Sequence, residues 1–442
     1  MPTAPAAPVP LTTRLHSAMT ESVGGLPTTF WWLWTSTLIN RLGGFVVTFL
    51  ALYLTVDRGY SASYAGLVAS LFGLGGAIAA LVGGVLTDRI GRRPTLLAAQ
   101  LMTALSTAAL GFADGQLMIA AVAFLVGLSS NASRPAVSAM IADLVPAADR
   151  VRAFALNYWA VNIGFGVSAA VAGLVAAHGY LTLFIADAAT TLLCAFVVFA
   201  KVAESRPRTT PGQAPAGHAA AGSAPATAAA AVSLGTVFRD RRFMSLVGLT
   251  FLLALVFQQG STTLAVSMGK SGLSTEQYGL VIGLNGLLIV LLQIPITRLL
   301  RGRDRGLLLL TAALLTGWGF GLNAFAGSSA LVYAGSVAVW TLGEVIQAPT
   351  SMGLVAELSP AHARGRYQGV YSLAWSAASF LGPAAGGFLL DHAGHGALWY
   401  GCAVLGTVAA VGYLVLGRRA DAARQLPAPV PVSVPVPVST SA

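Results

Sequence analysis

Long apolar runs separated by short polar or basic turns are the feature that most constrains this sequence. A helix needs about 20 apolar residues to cross the hydrocarbon core of a bilayer, which is about 30 Å thick. We therefore predict a polytopic, all-α membrane protein with twelve spans. In chain order, spans 1 to 12 are placed at 28–54, 61–86, 94–113, 117–143, 153–177, 180–200, 243–268, 276–299, 305–325, 328–355, 367–391 and 396–417.

The composition is consistent with lipid as the solvent of the fold. Of the 442 residues, 56% are hydrophobic and 9% are charged, too few charges to cover a soluble globule. The 50 glycines favour close packing of membrane helices. Because Cys194 and Cys402 both lie within predicted spans, no disulfide framework is expected.

Positive charge is distributed unevenly along the chain. All but four of the 25 Lys and Arg residues lie in one set of loops, at the adjoining span ends or in the terminal segments. The four exceptions are Arg41, Arg58, Arg134 and Lys270. The set comprises the loops 87–93, 144–152, 201–242, 300–304 and 356–366. These loops are predicted to face the cytoplasm, as are both termini. Topology thus explains the net charge of +10, and no nucleic-acid partner is expected.

The apolar pattern also predicts the domain organisation. Residues 1–27 form a cytoplasmic segment without the pattern of a signal peptide. Two six-helix bundles, 28–200 and 243–417, flank a linker at 201–242 that is rich in Ala, Pro, Gly and Ser. The tail at 418–442 alternates Pro with Val and is predicted to be disordered and cytoplasmic.

An internal repeat relates the two bundles. When the sequence is shifted by 214 residues, the segment that starts at Pro135 aligns without gaps with the one that starts at Pro349. The matched pairs are Asp143 with Glu357, Pro146 with Pro360, Arg150 with Arg364, and Arg152 with Arg366. Spans 4 and 5 therefore correspond to spans 10 and 11. Parallel repeats of this kind predict a site between the halves, near the membrane midplane.

A charged motif, GGVLTDRIGRRPTLL, connects spans 2 and 3. Its marked residues are Gly84, Asp88, Arg89, Gly91, Arg92 and Arg93. A simple topogenic basic loop would explain the arginines alone. The complete order resembles the loop signature of the major facilitator superfamily, and the twelve spans, the linker and the repeat also resemble that family.

The resemblance implies that this motif is a conformational lock of the outward-open state, which also touches the start of span 11. A carboxylate is favoured at a helix N-terminus, and ion pairs can be broken and remade as the halves rock. The corresponding loop of the second half, TRLLRGRDRG, has Arg298 in place of the acid. We therefore expect no second lock.

Span 11 contains FLGPAAGGFLL, which resembles a pattern that the antiporters of the superfamily carry in span 5. Its small and kinking residues are Gly382, Pro383, Gly386 and Gly387. Span 5 itself has Ser168 and Ala169 at the matching positions, so this antiporter signature is incomplete. Close helix packing is the simpler interpretation.

Four ionisable residues lie within predicted spans, where charge is expensive unless it faces water or a partner. They are Arg41, Arg134, Asp187 and Glu344. In the superfamily, spans 1, 4, 7 and 10 line the cavity, and three of the four residues lie on these spans. We predict that Glu344 carries a coupling proton and faces Arg134. A structural ion pair, and a structural role for Asp187, are the alternatives.

Further polar and aromatic side chains within the spans suggest a cavity suited to amphipathic molecules. They are Asn40, Gln258, Gln259, Asn285, Gln293, Trp340 and Trp375. Each one alone is more often a contact between helices than a contact with a ligand. No spacing typical of a metal site, a nucleotide-binding loop or a catalytic cluster accompanies them, so neither a cofactor nor enzymatic activity is expected.

Together these features predict a secondary transporter of the plasma membrane, monomeric as in the superfamily, that resembles its multidrug efflux members. Its partners would be a small-molecule substrate, protons and the bilayer. Proton-coupled export of an amphipathic molecule is the leading hypothesis. The alternative is transport of one metabolite, such as a sugar, an organic acid or a peptide. A receptor or a membrane enzyme on this scaffold is the least favoured class.

Overall fold

A computed structural model describes residues 24–176, 178–205, 234–300, 302–360 and 363–425. Most of the predicted N-terminal segment, the linker residues 206–233 and the tail beyond residue 425 lie outside this part of the chain. The described residues form helices joined by short turns and contain no strand. The prediction of an all-α fold is confirmed.

The twelve predicted spans are all helical, with modest shifts in their bounds. Span 12 is longer than expected, because its helix continues from the predicted end at 417 to Gln425. In chain order the spans are Thr28–Leu42 with Val46–Leu52, Ala62–Arg89, Arg92–Gly111, Gln116–Leu144, Arg150–Ala176, Tyr180–Lys201, Arg241–Phe257 with Thr263–Lys270, Thr275–Leu299, Arg305–Gly321, Ala330–Leu358, Arg364–His392 and Gly394–Gln425. The remaining short elements are the π-turn Tyr53–Asp57, the helix Leu234–Arg239 and the 3₁₀ turns Ala147–Asp149, Gln258–Gly260 and Leu322–Phe325.

Ten of the described helices are long and apolar enough to cross a membrane by themselves. Spans 1 and 3 are the two exceptions. Span 1 is interrupted, and span 3 begins with Arg92 and Arg93 and carries Gln100 among several hydroxyl side chains. Span 3 is nevertheless part of the bundle, since it packs against spans 4 and 6.

The two halves pack in the same way. In the first half, span 4 packs against spans 2 and 3, span 6 against span 3, and span 1 against spans 5 and 6. The second half repeats these contacts, with span 10 against 8 and 9, span 12 against 9, and span 7 against 11 and 12. The halves are thus two pseudo-symmetric six-helix bundles, as the sequence repeat predicts.

The halves touch each other mainly along two pairs of spans, 2 with 11 and 5 with 8. Glycines allow these backbones to approach closely. A Cβ at Gly66 would lie 2.3 Å from the carbonyl oxygen of Pro383, and a Cβ at Gly286 would lie 2.6 Å from the Cα of Gly166. Contacts this close leave no room for a side chain, so the two halves are in backbone contact there.

Among the described residues, these contacts run from one end of the bundle to about its middle. We name the end with the loops 87–93, 144–152, 300–304 and 356–366 the basic end, and the other the far end. At the basic end, a Cβ at Gly84 in span 2 or at Gly365 in span 11 would meet no described atom within 4 Å. The halves therefore form a V that is closed at the far end and open at the basic end.

Spans 1 and 7 are interrupted, which corrects the prediction of continuous helices at 28–54 and 243–268. The first break lies at Gly43–Phe45 and the second at Gln258–Thr262. Gly43 and Gly44 favour the first break, because glycine destabilises helix interiors. The 214-residue repeat places the two breaks at matching positions, and irregular backbone at membrane depth is tolerated where it lines a cavity or is buried in protein.

Candidate functional site

A cavity of about 570 Å³ lies between the halves, and we name it the central cavity. Both halves contribute to its wall. Spans 2 and 4 supply Phe72, Gly76, Asn131, Arg134 and Ser138, and spans 7 and 11 supply Gln258, Ser261, Trp375, Ser376 and Pro383. Its position between the halves is the one expected from the repeat.

A second cavity of about 360 Å³ adjoins the central cavity and shares Phe72, Asn131 and Arg134 with it. We name it the polar cavity. All four ionisable residues singled out from the sequence line it, together with Asn40 and Asn285. The fold thus brings the predicted charged groups of spans 1, 4, 6 and 10 into one place.

Arg41 and Arg134 are the positive groups of the polar cavity. Arg134 lies ten residues from the end of its helix at Leu144, about 15 Å from the basic end at 1.5 Å per residue. Its side chain is exposed to the cavity, whereas Arg41 is partly buried. Both side chains line the same cavity. Neither guanidinium donates a hydrogen bond or forms an ion pair within the described residues.

Glu344 lies on span 10 and enters the polar cavity from the other half. The Nδ2 of Asn285 donates to its Oε2 at 2.9 Å and to the Thr341 hydroxyl at 3.0 Å. Among the described residues, no ion pair within 4.0 Å joins Glu344 to Arg134. In this conformation Glu344 and Arg134 therefore line the same cavity but do not form the ion pair.

Asp187 is the most buried of the four ionisable side chains, with 6% of its surface exposed. The backbone N–H of Val46 donates to its Oδ2 at 3.1 Å, and the Thr191 hydroxyl lies 3.5 Å from its Oδ1. Val46 is the first residue after the break in span 1. The carboxyl group of span 6 therefore caps the second segment of span 1.

The predicted polar and aromatic residues fall into two groups. Asn40, Gln258, Asn285 and Trp375 line one of the two cavities. Gln259, Gln293 and Trp340 are instead placed in contacts between helices. Gln259 donates to the carbonyl of Gly382 at 3.0 Å, Gln293 lies 3.4 Å from the carbonyl of Val345, and Trp340 stacks on Phe320.

The Gly-Pro segment of span 11 lies where spans 7 and 2 approach it. A Cβ at Gly382 or at Gly386 would collide with Gln258 or Gln259, and one at Gly387 would lie 2.3 Å from the carbonyl oxygen of Ala62. Pro383 itself lines the central cavity. The small residues of this segment therefore permit contact with both halves.

The motif at 84–93 is built around Arg92, whose side chain is buried in the first half. Its Nε donates to Asp143 Oδ2 at 3.0 Å, and its Nη1 donates to the carbonyl of Thr87. Asp88 is largely exposed, 3.8 Å from Arg92. Residues 202–205 return to this motif, where Glu204 accepts the backbone N–H groups of Arg92 and Arg93 and so caps span 3.

The expected contact of Asp88 and Arg92 with span 11 is not made in this conformation. Their ion pairs lie within the first half. The physical reason is the V shape, which leaves open space beside Gly84 at the end of span 2.

The second half has an arginine–carboxylate pair of its own at the basic end. Arg305, at the start of span 9, pairs with Glu357 of span 10 and donates to the carbonyl of Gly353. The repeat aligns Glu357 with Asp143, the partner of Arg92, so each half has an arginine–carboxylate pair at its basic end. The acid equivalent to Asp88 is what the second half lacks. This pair could have been predicted from the repeat, which aligns Glu357 with Asp143. Nothing in the sequence indicates that Glu204 caps span 3.

Comparisons with known proteins agree with the fold and the repeat. A family profile described as Major Facilitator Superfamily matches residues 33–383 and 272–440. An uncharacterised MFS-type transporter of Bacillus subtilis, YhjO, is 27% identical over 83% of this chain and 87% of its own length. The multidrug resistance protein MdtH of Aeromonas salmonicida is 26% identical over 87% of this chain and 94% of its own.

The fold is also similar to solved structures. The crystal structure of a nucleoside transporter, NupG, superimposes with a TM-score of 0.72 at 14% identity, covering 88% of this chain and all of the other. At this level of identity the similarity concerns the fold alone. The family profile spans most of the described residues, including both halves and the motif at 84–93. The chain is therefore a multi-pass membrane protein of the major facilitator superfamily.

Proposed function

We propose that this protein is a secondary active transporter that exports a small amphipathic molecule across the plasma membrane in exchange for protons. It works by alternating access, with both termini in the cytoplasm. The V is open at the basic end, which we expect to be cytoplasmic from the distribution of Lys and Arg, and this supports loading from that side. The similarity to the multidrug resistance protein MdtH supports export.

The position of the Glu344 carboxyl group is the observation that carries this proposal. The group lies within a membrane span, it lines the polar cavity, and one amide hydrogen bond holds it there. A carboxyl group in such a place points to a function, because burying it within the membrane costs free energy that an apolar side chain at the same position would not cost. We propose that Glu344 carries the coupling proton and that Arg41, Arg134 and Asp187 set the electrostatic field around it.

The motif at 84–93 is proposed to lock the other conformation. When the basic end closes, the free surface at Gly84 meets the start of span 11, where Gly365 also has open space. The exposed Asp88 carboxylate would then lie near the N-terminus of span 11, where the helix dipole favours negative charge. Arg92, held by Asp143, would keep the motif in position.

A second candidate function is the transport of a single metabolite. The two arginines of the polar cavity favour it, because fixed and unpaired charges select for a ligand of complementary charge rather than for a broad range of compounds. The central cavity, of about 570 Å³, has the size of a typical small-molecule site.

Flux measured in proteoliposomes with an imposed pH gradient tests the leading proposal. A panel of anionic, neutral and cationic amphipathic compounds is screened for gradient-driven movement by the wild-type protein. Glu344→Gln should then abolish the proton-driven part of this flux while the protein remains folded in the membrane. The control is Asp114→Asn, which removes an exposed carboxyl group outside both cavities. Unchanged proton-driven flux in Glu344→Gln would contradict the assignment.

A further inference from the structure

The polar cavity contains two guanidinium groups without a counter-charge in contact. Arg41 and Arg134 come from different spans of the same half and line the same cavity. They also line a smaller adjoining cavity of about 310 Å³ together with Asn40 and Ser133. Charges at this depth in a membrane cost free energy. Two positive charges that line one cavity therefore indicate that the cavity binds something of opposite charge.

The acids of the cavity do not neutralise this pair. The Asp187 carboxyl group accepts hydrogen bonds from the start of the second segment of span 1. Glu344 lies on the opposite half and accepts from Asn285. Neither acid comes within 4.0 Å of a cavity arginine among the described residues. The five N–H donors of each guanidinium are therefore left for water or for a ligand.

An anionic group with several acceptor oxygens is the ligand that such a pair fits. Guanidinium groups bind carboxylates through charge-assisted, often bidentate, hydrogen bonds. A cationic group at the same place would be repelled by two positive charges at once. The neighbouring central cavity, which shares Phe72 and Arg134 with the polar cavity, adds the apolar surfaces of Leu50 and Trp375.

We propose that the transported molecule is an organic anion, whose carboxylate binds between Arg41 and Arg134 while its apolar part occupies the central cavity. This inference rests on the proposed transport function and specifies its substrate class. It assigns the two arginines to substrate recognition and leaves the coupling proton on Glu344.

The test is calorimetric titration of the purified full-length protein in lipid nanodiscs with three probes of one shape. These are 2-naphthoate, 2-naphthamide and 2-naphthylmethylammonium, with benzoate and 4-phenylbenzoate added to vary the size. We expect the carboxylates to bind at least about tenfold more tightly than the amide, and the ammonium compound to bind most weakly. Equal affinities for the three naphthyl probes, or no binding of any carboxylate in the series, would overturn the proposal.

Variants identify the site. Arg134→Gln and Arg41→Gln should each weaken carboxylate binding by about tenfold or more, and Arg134→Lys should retain part of it. Arg134→Lys also serves if a glutamine variant does not fold. The matched control is Arg58→Gln, which removes a partly exposed arginine at the far end that pairs with Asp114. Folded arginine variants with wild-type affinity would contradict the assignment.

This measurement needs no ion gradient, so the two proposals can fail separately. Carboxylate binding that persists in Glu344→Gln supports the anion site whatever the result of the proton-driven flux assay. Proton-driven flux of a cationic compound, lost in Glu344→Gln and unaffected by Arg134→Gln, would overturn the anion site and leave proton coupling intact.

Discussion

Single charged residues within the spans carry most of the functional information in this chain. Arg41, Arg134, Asp187 and Glu344 are separated by up to 303 positions in the sequence, yet all four line one cavity. Their roles differ because their partners differ. Asp187 is bound by backbone N–H and hydroxyl groups, Glu344 by an amide, and the two arginines by no described residue.

The contacts of Asp187 predict a structural effect. Asp187→Ala leaves the N–H of Val46 buried without an acceptor, which should lower the free energy of unfolding by about 1–3 kcal/mol. Asp187→Asn retains one acceptor oxygen and should cost less. Thermal unfolding of the purified protein measures both, with Asp114→Ala as the exposed control. Equal stability of Asp187→Ala and wild type would contradict the capping role.

At the scale of helices, the interruptions of spans 1 and 7 distinguish this bundle from one of twelve continuous helices. They occur at matching positions of the two halves and lie beside the polar residues of the cavities. In span 1 the break frees the backbone N–H of Val46, which donates a hydrogen bond to Asp187. In span 7 the side chain of Gln259 donates to the carbonyl of Gly382 in span 11. Each break is therefore bonded to another span of its own half, the first through a carboxyl group of span 6 and the second through a side chain of the break itself.

Glycines on the helix surfaces predict how substitutions shift the conformation. Gly66→Leu cannot coexist with the contact of spans 2 and 11, because a Cβ there would already lie 2.3 Å from the Pro383 oxygen. It should open the far end and close the basic end. Gly84→Leu meets open space in this conformation and should obstruct closure of the basic end instead.

Thiol labelling checks these opposite shifts. Ser138 lines the central cavity, and the native Cys194 and Cys402 are buried. In vesicles of defined orientation, an impermeant maleimide applied at the basic end should label Ser138→Cys more slowly with Gly66→Leu. With Gly84→Leu, labelling should be as fast as in the parent or faster. Equal labelling rates in both variants would argue against the two conformations.

The sequence predicts helices well and interruptions poorly, for a physical reason. Hydropathy is averaged over about 20 residues, so three irregular residues at Gly43–Phe45 do not alter the signal. Rare charges within spans are visible because lipid excludes them, and the repeat predicts matching depth. What a side chain contacts is decided by helix rotation, which is why Trp375 lines a cavity while Trp340 packs against Phe320.

The whole molecule combines similar halves with unequal ends. The far end is closed by backbone contacts and by Asp391 of span 11, which accepts from the backbone N–H of Ser63 at 2.6 Å and from its hydroxyl at 2.8 Å. Lys270 of span 7 donates to the same carboxylate at 3.1 Å. A carboxylate of the second half therefore caps span 2 of the first half, in a contact that rocking must break.

Loss of this cap should shift the conformation of the whole protein. Asp391→Asn removes the charge that binds the N-terminus of span 2 and Lys270, so the far end should open more readily. The matched control is Asp114→Asn, because Asp114 lies at the same end but pairs with Arg58 within the first half. The control should leave the populations of the two conformations unchanged.

Spin-label distances at both ends, measured on the same protein with and without Asp391→Asn, test alternating access most directly. Labels at Ile90 and Arg303 report on the basic end, and labels at Gln116 and Ser328 report on the far end. All four positions are exposed, and each pair joins the two halves. We predict that Asp391→Asn lengthens the far-end distance and shortens the basic-end distance. Distances that stay fixed at both ends, or that change in the same direction, would contradict a transporter whose halves rock about the central cavity.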